Sequence, residues 1–278
     1  MKKHFSWKKP LLGILIIGLL SIGSVFFYIE RNRSFDALPK LSQRSTPKNW
    51  ASSVKIGIIG DSWVAGEKMD QAIRNAMLTF GIPSQVISSG HPGANSRQVF
   101  RDLLVEGSEP YSSHNLLMDE NLDYLVVVTG VNDTAGHKGK YFYAHHILQI
   151  IKVAQLRGVY PVVVEVPEYG IIDATENSFI LAAKHTIYRL LFDGTKKDVI
   201  SDYREALRSF VPSSIKNEMT LVSFAPFIQN YSEKKNLYAN PSHLNKEGWQ
   251  QLGAYLAQEI AKTHNKRVNL TAVPSQVQ

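Results

Sequence analysis

The chain has 278 residues, 20% of them charged, with no cysteine and a formal net charge of +7. The lack of cysteine excludes disulfides, a thiol nucleophile, cysteine-ligated zinc and a lipidated N-terminal cysteine, and it suits an oxidising exterior. The positive charge is no nucleic-acid footprint: residues 1–50 hold nine Lys/Arg against Glu30 and Asp36, which is the whole excess, so residues 51–278 are neutral and no nucleic-acid partner is expected.

The first predicted element is "LLGILIIGLLSIGSVFFYI", an uncharged run from Leu11 to Ile29 that is long enough to cross a hydrocarbon core. Lys2, Lys3, Lys8 and Lys9 precede it and only Arg31 and Arg33 follow closely, so the N-terminus should stay cytoplasmic and the C-terminal domain should face the periplasm or cell exterior. The competing reading is a cleaved signal peptide with Ser21, Ile22 and Gly23 as a poor cleavage site, and the length of the run favours an uncleaved anchor. Residues 1–30 therefore read as a cytoplasmic stub and transmembrane anchor. Residues 31–53, polar and with two prolines, read as a tether.

From 54 onward, short apolar runs alternate with amphipathic stretches. Strands are expected at 54–59, 84–88, 123–129, 160–166 and 219–224, and helices at about 67–80, 96–105, 141–157, 176–192, 202–210 and 245–263. Near-continuous Val/Ile strands alternating with helices predict a parallel sheet of about five strands covered on both faces, spanning 54–264. Residues 265–278 are polar, lack a period and read as a flexible tail. Ligands of such sheets sit beyond the carboxyl ends of the strands.

Four stretches fall at such ends or before the last helix. "GIIGDSWVAG" (57–66) leaves the first strand, "SSGHPGANS" (88–96) the second and "VTGVNDTAG" (128–136) the third, while "NPSHLNKEGW" (240–249) leads into the final helix. Acyl transfer through serine needs a nucleophile, a base within hydrogen-bond reach, and donors aimed at a developing oxyanion. Ser62 is the candidate nucleophile and His243 the candidate base, since imidazole shuttles protons near neutrality. Gly93 lets a backbone N–H approach a substrate oxygen, the Asn132 amide supplies a second donor, and the Ser62 N–H a third. The blander readings are a helix cap for Ser62, a solvated helix-start residue for His243, a turn glycine for Gly93 and a loop tie for Asn132.

"GDSWVAG" resembles the first signature of the SGNH (GDSL-type) hydrolases, esterases and acetyl-group enzymes with a flavodoxin-like fold. "GHPGANS" resembles their glycine block, "GVND" their G-x-N-D block, and "NPSHLNKEGW" their closing D-x-x-H block, all in family order over about 60–249. The resemblance implies a flavodoxin-like three-layer sandwich, Ser62 as nucleophile, Gly93 and Asn132 as oxyanion donors, and His243 as base. Two positions depart from it. Trp63 stands where an aliphatic residue is usual, and Asn240 stands where an aspartate normally orients the histidine. An asparagine oxygen accepts the same hydrogen bond without the charge that stabilises an imidazolium.

Other features carry less. Gly57 and Gly60 lack the G-x-G-x-x-G dinucleotide fingerprint. His145 and His146 are adjacent on a predicted helix and cannot share a face, which argues against a metal. His91 lies in the glycine block, where it either lines an acyl pocket or is an ordinary loop histidine. No cofactor or metal is expected. The expected activity is serine-dependent hydrolysis of a small acyl ester, namely O-acetyl groups of a cell-envelope or exported polysaccharide. The alternatives are O-acetyl transfer to such a glycan, with a membrane acyl-donor protein as partner, or a catalytically weak glycan-binding or assembly subunit.

Overall fold

The Val- and Ile-rich runs come together as one parallel sheet in the computed structural model of the chain, which describes residue 23 and residues 34–43, 53–66, 68–107, 112–118, 122–171, 173, 179–188, 191 and 199–272. Contacts divide the chain into two units, Met1–Asp36 and Ala37–Gln278, and the fold that follows is that of the second. Apart from Gly23, the predicted membrane anchor lies outside the described residues. Among the described residues, no helix is long and apolar enough to cross a membrane.

Strands β1 (Val54–Gly60), β2 (Ser84–Gly90), β3 (Tyr124–Val128), β4 (Tyr160–Val164) and β5 (Thr220–Val222) lie in the order β2-β1-β3-β4-β5, with every pair parallel. This is the flavodoxin-like order, and its topological switch point falls between the ends of β1 and β3. Every residue of β3 is buried, as its unbroken Tyr-Leu-Val-Val-Val run requires. In the register, Gly60 stands opposite both Gly90 and Val128. The three loops that carry the first three sequence blocks therefore leave the sheet at one level.

The helices are α1 (Asp70–Thr79), α2 (Ser96–Asp102), α3 (Ser113–Met118), α4 (Val131–Ala135), α5 (Lys140–Leu156), α6 (Phe179–Tyr188), α7 (Val199–Phe210), α8 (Ser213–Lys216) and α9 (Lys246–Ala272). One packed group joins α1 to α9, and a second joins α2, α5 and α7. Two short antiparallel strands, β6 (Tyr238–Asn240) and β7 (His243–Leu244), form a separate hairpin just ahead of α9. It was not foreseen, although Asn-Pro in "NPSH" is a turn signal.

Two expectations need correction. The final helix does not stop near 263 but runs to Ala272, so residues 265–272 are helical rather than a loose tail. These polar turns are held by aromatic partners that an apolar period cannot reveal. His264 is buried against Tyr124, with Nδ1 3.2 Å from the phenol oxygen, and the Arg267 guanidinium lies 4.0 Å from the centre of the Tyr160 ring. At the other end, Leu38 and Leu41, within the stretch read as tether, pack against the domain core. Residues 44–52 and 273–278 lie outside the described residues.

Candidate active site

Ser62 sits half-buried on a single turn that reverses the chain after β1. The Asp61 carbonyl accepts the N–H groups of Val64 and Ala65 at 3.0 and 3.2 Å, which closes the turn. Below it, the Asp61 carboxyl accepts the Trp63 N–H at 2.9 Å and the Thr129 hydroxyl at 3.3 Å. Asp61 is fully buried. Burial, reinforced by the nearby charge of Asp133 and opposed by those hydrogen bonds, pushes its carboxyl up to about 7. Its place is structural: it ties the serine turn to the end of β3.

Trp63 has no exposed surface. Its ring meets Trp249 edge-on at 5.3 Å and Phe224 at 6.0 Å. Trp249 lies in the first turns of α9, six residues after His243, so this contact joins the serine turn to the helix that follows the histidine. The large residue at a normally aliphatic position fills the space between the two.

The hairpin β6–β7 delivers the histidine. His243 Nε2 lies 2.9 Å from Ser62 Oγ, and His243 Nδ1 lies 3.2 Å from Asn240 Oδ1. The same Oδ1 accepts the Ser242 backbone N–H at 2.9 Å. A backbone N–H only donates, so the oxygen of the amide must face this corner. His243 Nδ1 therefore carries its proton toward that oxygen, and Nε2 is left bare to accept from Ser62. The backbone N–H of Gly170 donates to the Pro241 carbonyl at 2.8 Å and anchors the tip of the hairpin to the segment after β4. Burial, and then the positive charge of Lys68, hold the imidazole below its ordinary value of 6.5. Asn240, exposed and uncharged, adds no opposing charge.

The glycine block wraps toward the same point. Gly90 is enforced by packing, since a Cβ there would lie 2.2 Å from the Ala65 nitrogen of the serine turn. Gly93 adopts φ +81°, a conformation that favours glycine, and no atom lies within 4 Å of where its Cβ would be. Its backbone is open on that side. Asn132 Nδ2 donates to the Ala94 carbonyl at 3.0 Å. An asparagine amide has two N–H donors, so the bond that aims it leaves one for a ligand. The arrangement is locked by Asp133, buried on α4, whose carboxylate accepts the Ser96 N–H at 2.8 Å and the Ser96 hydroxyl at 2.6 Å. Burial raises the Asp133 carboxyl to about 6 against the pull of those two bonds.

The structure thus brings Ser62, His243 and Asn240 into one hydrogen-bonded line, with Gly93 and Asn132 on linked loops at the same strand ends. Asp61, Asp133, Ser96 and Lys68 were not singled out in the sequence. The two aspartates stood inside the quoted blocks as letters without a role, whereas nothing local marks Lys68. His91 turns elsewhere, with Nε2 3.3 Å from Ser113 Oγ and 3.6 Å from Asp102 Oδ2. One nitrogen faces both groups, so the three form no proton relay. His146 Nδ1 donates to the Phe142 carbonyl at 2.8 Å, and His145 Nε2 lies 3.3 Å from Gln149 Nε2. Among the described residues, no cluster of three or more His, Asp or Glu could hold a metal ion.

No family model matches the sequence, and no curated protein matches it. Solved structures do match. A lipase/acylhydrolase from Enterococcus faecalis superposes with a TM-score of 0.54 at 15% identity, covering 76% of this chain and 96% of its own. A psychrotrophic esterase from Pseudoalteromonas sp. gives 0.54 at 15% identity, covering 76% and 98%. A GDSL-like lipase from Bacteroides thetaiotaomicron gives 0.50 at 15% identity, covering 75% and 88%. The chain has the α/β fold of these GDSL-type lipases and acylhydrolases, the family that its four sequence blocks resemble.

Proposed function

We propose that this protein is a serine esterase that removes small acyl groups, in particular O-acetyl groups, from a cell-envelope or exported polysaccharide. The observation that carries the reading is the 2.9 Å contact between Ser62 Oγ and the bare Nε2 of His243, with Nδ1 held by Asn240. In the first step His243 takes the Ser62 proton as Oγ attacks the acyl carbon. The oxyanion that forms is met by the N–H groups of Ser62 and Gly93 and by the Asn132 amide. His243 then returns the proton to the departing alcohol oxygen, leaving an acyl-serine. Water, deprotonated by the same imidazole, releases the acid and restores Ser62. One structural neighbour, the Pseudoalteromonas esterase, is described as inhibited by monoethylphosphonate, which supports testing this chain with phosphonate reagents.

The polysaccharide substrate is inferred from the proposed topology: a membrane anchor at 11–29 that leaves the domain outside the cytoplasm, where acylated glycans are found. Fractionation tests the topology. The full chain should stay with membranes after a carbonate wash, and recovery as a soluble cytoplasmic protein would refute it. Turnover of p-nitrophenyl acetate, lost in Ser62→Ala, tests the esterase. A second reading, a catalytically weak glycan binder, draws on the uncharged Asn240. It gains if wild type and Asn240→Asp are both inactive on every acetyl ester tried. Acetylated product appearing on an added glycan acceptor would instead identify a transferase.

A further inference from the structure

Against the hairpin that carries Asn240 and His243 lies a groove of about 840 Å³, between the start of α1 and the start of α9. This is within the size range of small-ligand clefts. Leu244, the residue after His243, forms part of its wall, as does Ala239, the residue before Asn240. Two other lining residues reach the candidate active site: the charge of Lys68 acts on His243, and Trp249 packs on Trp63, next to Ser62. The groove's polar lining is cationic and amidic: Lys68, Lys246, Asn75 and Gln250 line it, together with Trp249, and no carboxylate does among the described residues. Lys68 Nζ sits 5.0 Å over the Trp249 ring, a neutral partner that attracts the ammonium without cancelling its charge. Glu247, next to Lys246 on the helix, accepts from Gln251 at 2.9 Å on the exposed face and does not line the groove.

We propose that this groove holds the alcohol portion of the ester and that this portion is an anionic carbohydrate chain. The proposal rests on the esterase reading of Ser62 and His243, and it names the substrate class. The amides of Asn75 and Gln250 offer both donors and acceptors to sugar hydroxyls. Trp249 offers an apolar edge, and the two lysines select for carboxylate or phosphate groups along the glycan. A neutral glycan would offer neither ammonium group a counter-charge.

The test is direct binding of deacetylated oligosaccharides to the full chain, which needs no turnover. Hexagalacturonate should bind at least about tenfold more tightly than cellohexaose in isothermal titration. That preference should fade in 0.5 M salt, as contacts between exposed charges do. Lys246→Glu should weaken hexagalacturonate binding by about tenfold or more. The substitution puts an acid in the first turn of α9, which helices favour, so folding is not at risk. Equal binding of the two sugars, no binding of either, or hexagalacturonate binding untouched by Lys246→Glu would overturn the proposal. The last outcome would assign the anion to another basic surface. Because the readout is binding, an inactive protein with a Lys246-dependent preference would remove the esterase reading while supporting the groove. An active esterase with no preference would do the reverse.

Discussion

Asn240 presents its amide oxygen to His243 Nδ1 at 3.2 Å, and the Ser242 N–H fixes that orientation by donating to the same oxygen. The histidine is therefore held in the tautomer that leaves Nε2 bare, by a group without charge. Orientation and charge stabilisation, usually supplied together by a carboxylate, are separated here.

Asn240→Asp should restore the second of these. A carboxylate at this position keeps the bond to Nδ1 and stabilises the imidazolium that forms in the transition state. The expected result is a rise in kcat/KM for a small ester of about tenfold or more. This is well below the roughly ten-thousandfold effect of the converse change in a serine protease. The charge also raises the proton affinity of His243, so the acid limb of the pH–rate profile should move to higher pH. A variant unchanged in both rate and profile would mean that another group orients the ring.

Lys68 acts on the same imidazole, and its charge, after burial, helps hold His243 below the usual histidine range. The base must be neutral to accept the serine proton, so wild type should keep its activity to lower pH than an unperturbed histidine would allow. Lys68→Gln removes the repulsion and should shift the acid limb upward for a small neutral ester such as p-nitrophenyl acetate, with the plateau rate on that ester little changed. A shift downward would contradict the assignment.

Much of this was legible in the sequence. Alternating Val/Ile runs and amphipathic stretches announced the five-stranded sheet, and the strand ends located Ser62, Gly93 and Asn132, because those periods follow directly from burial. What escaped depended on long-range partners. The helical turns at 265–272 are held by Tyr124 and Tyr160, which lie more than a hundred residues away. The hairpin that aims His243 has only five residues in its two strands, too few for a period. Lys68, just ahead of α1, acts on His243, just ahead of α9, from 175 residues away in the chain, and the two helices that follow them pack together.

The buried carboxyl of Asp61 predicts a pH-dependent stability. Its value rises from the ordinary 3.8 to about 7 on folding. Between those values the folded state binds the proton more tightly than the unfolded state, so this group's contribution to stability declines as pH rises through the window. Asp61→Asn lacks the titration. Thermal melts of wild type and variant should show the advantage of wild type shrinking from about pH 4 to about pH 7. A difference constant across that range would argue against a protonated Asp61.

Asn132 should matter to the rate rather than to binding. Its amide meets negative charge that exists only once the serine has attacked, and loss of one such donor typically costs about a hundred- to a thousandfold in turnover. Asn132→Ala should lower kcat by that order with little change in KM. A rise in KM alone would make Asn132 a substrate-binding residue.

The account's central claim is that His243 activates Ser62 as a nucleophile, and covalent labelling measures this most directly. The full chain is incubated with a fluorophosphonate and its intact mass is read before peptide mapping. One adduct on Ser62 is predicted for wild type, with none on Ser62→Ala and a strongly slowed reaction on His243→Ala. Labelling of Ser62→Ala at the wild-type rate, or of His243→Ala as fast as wild type, would contradict it.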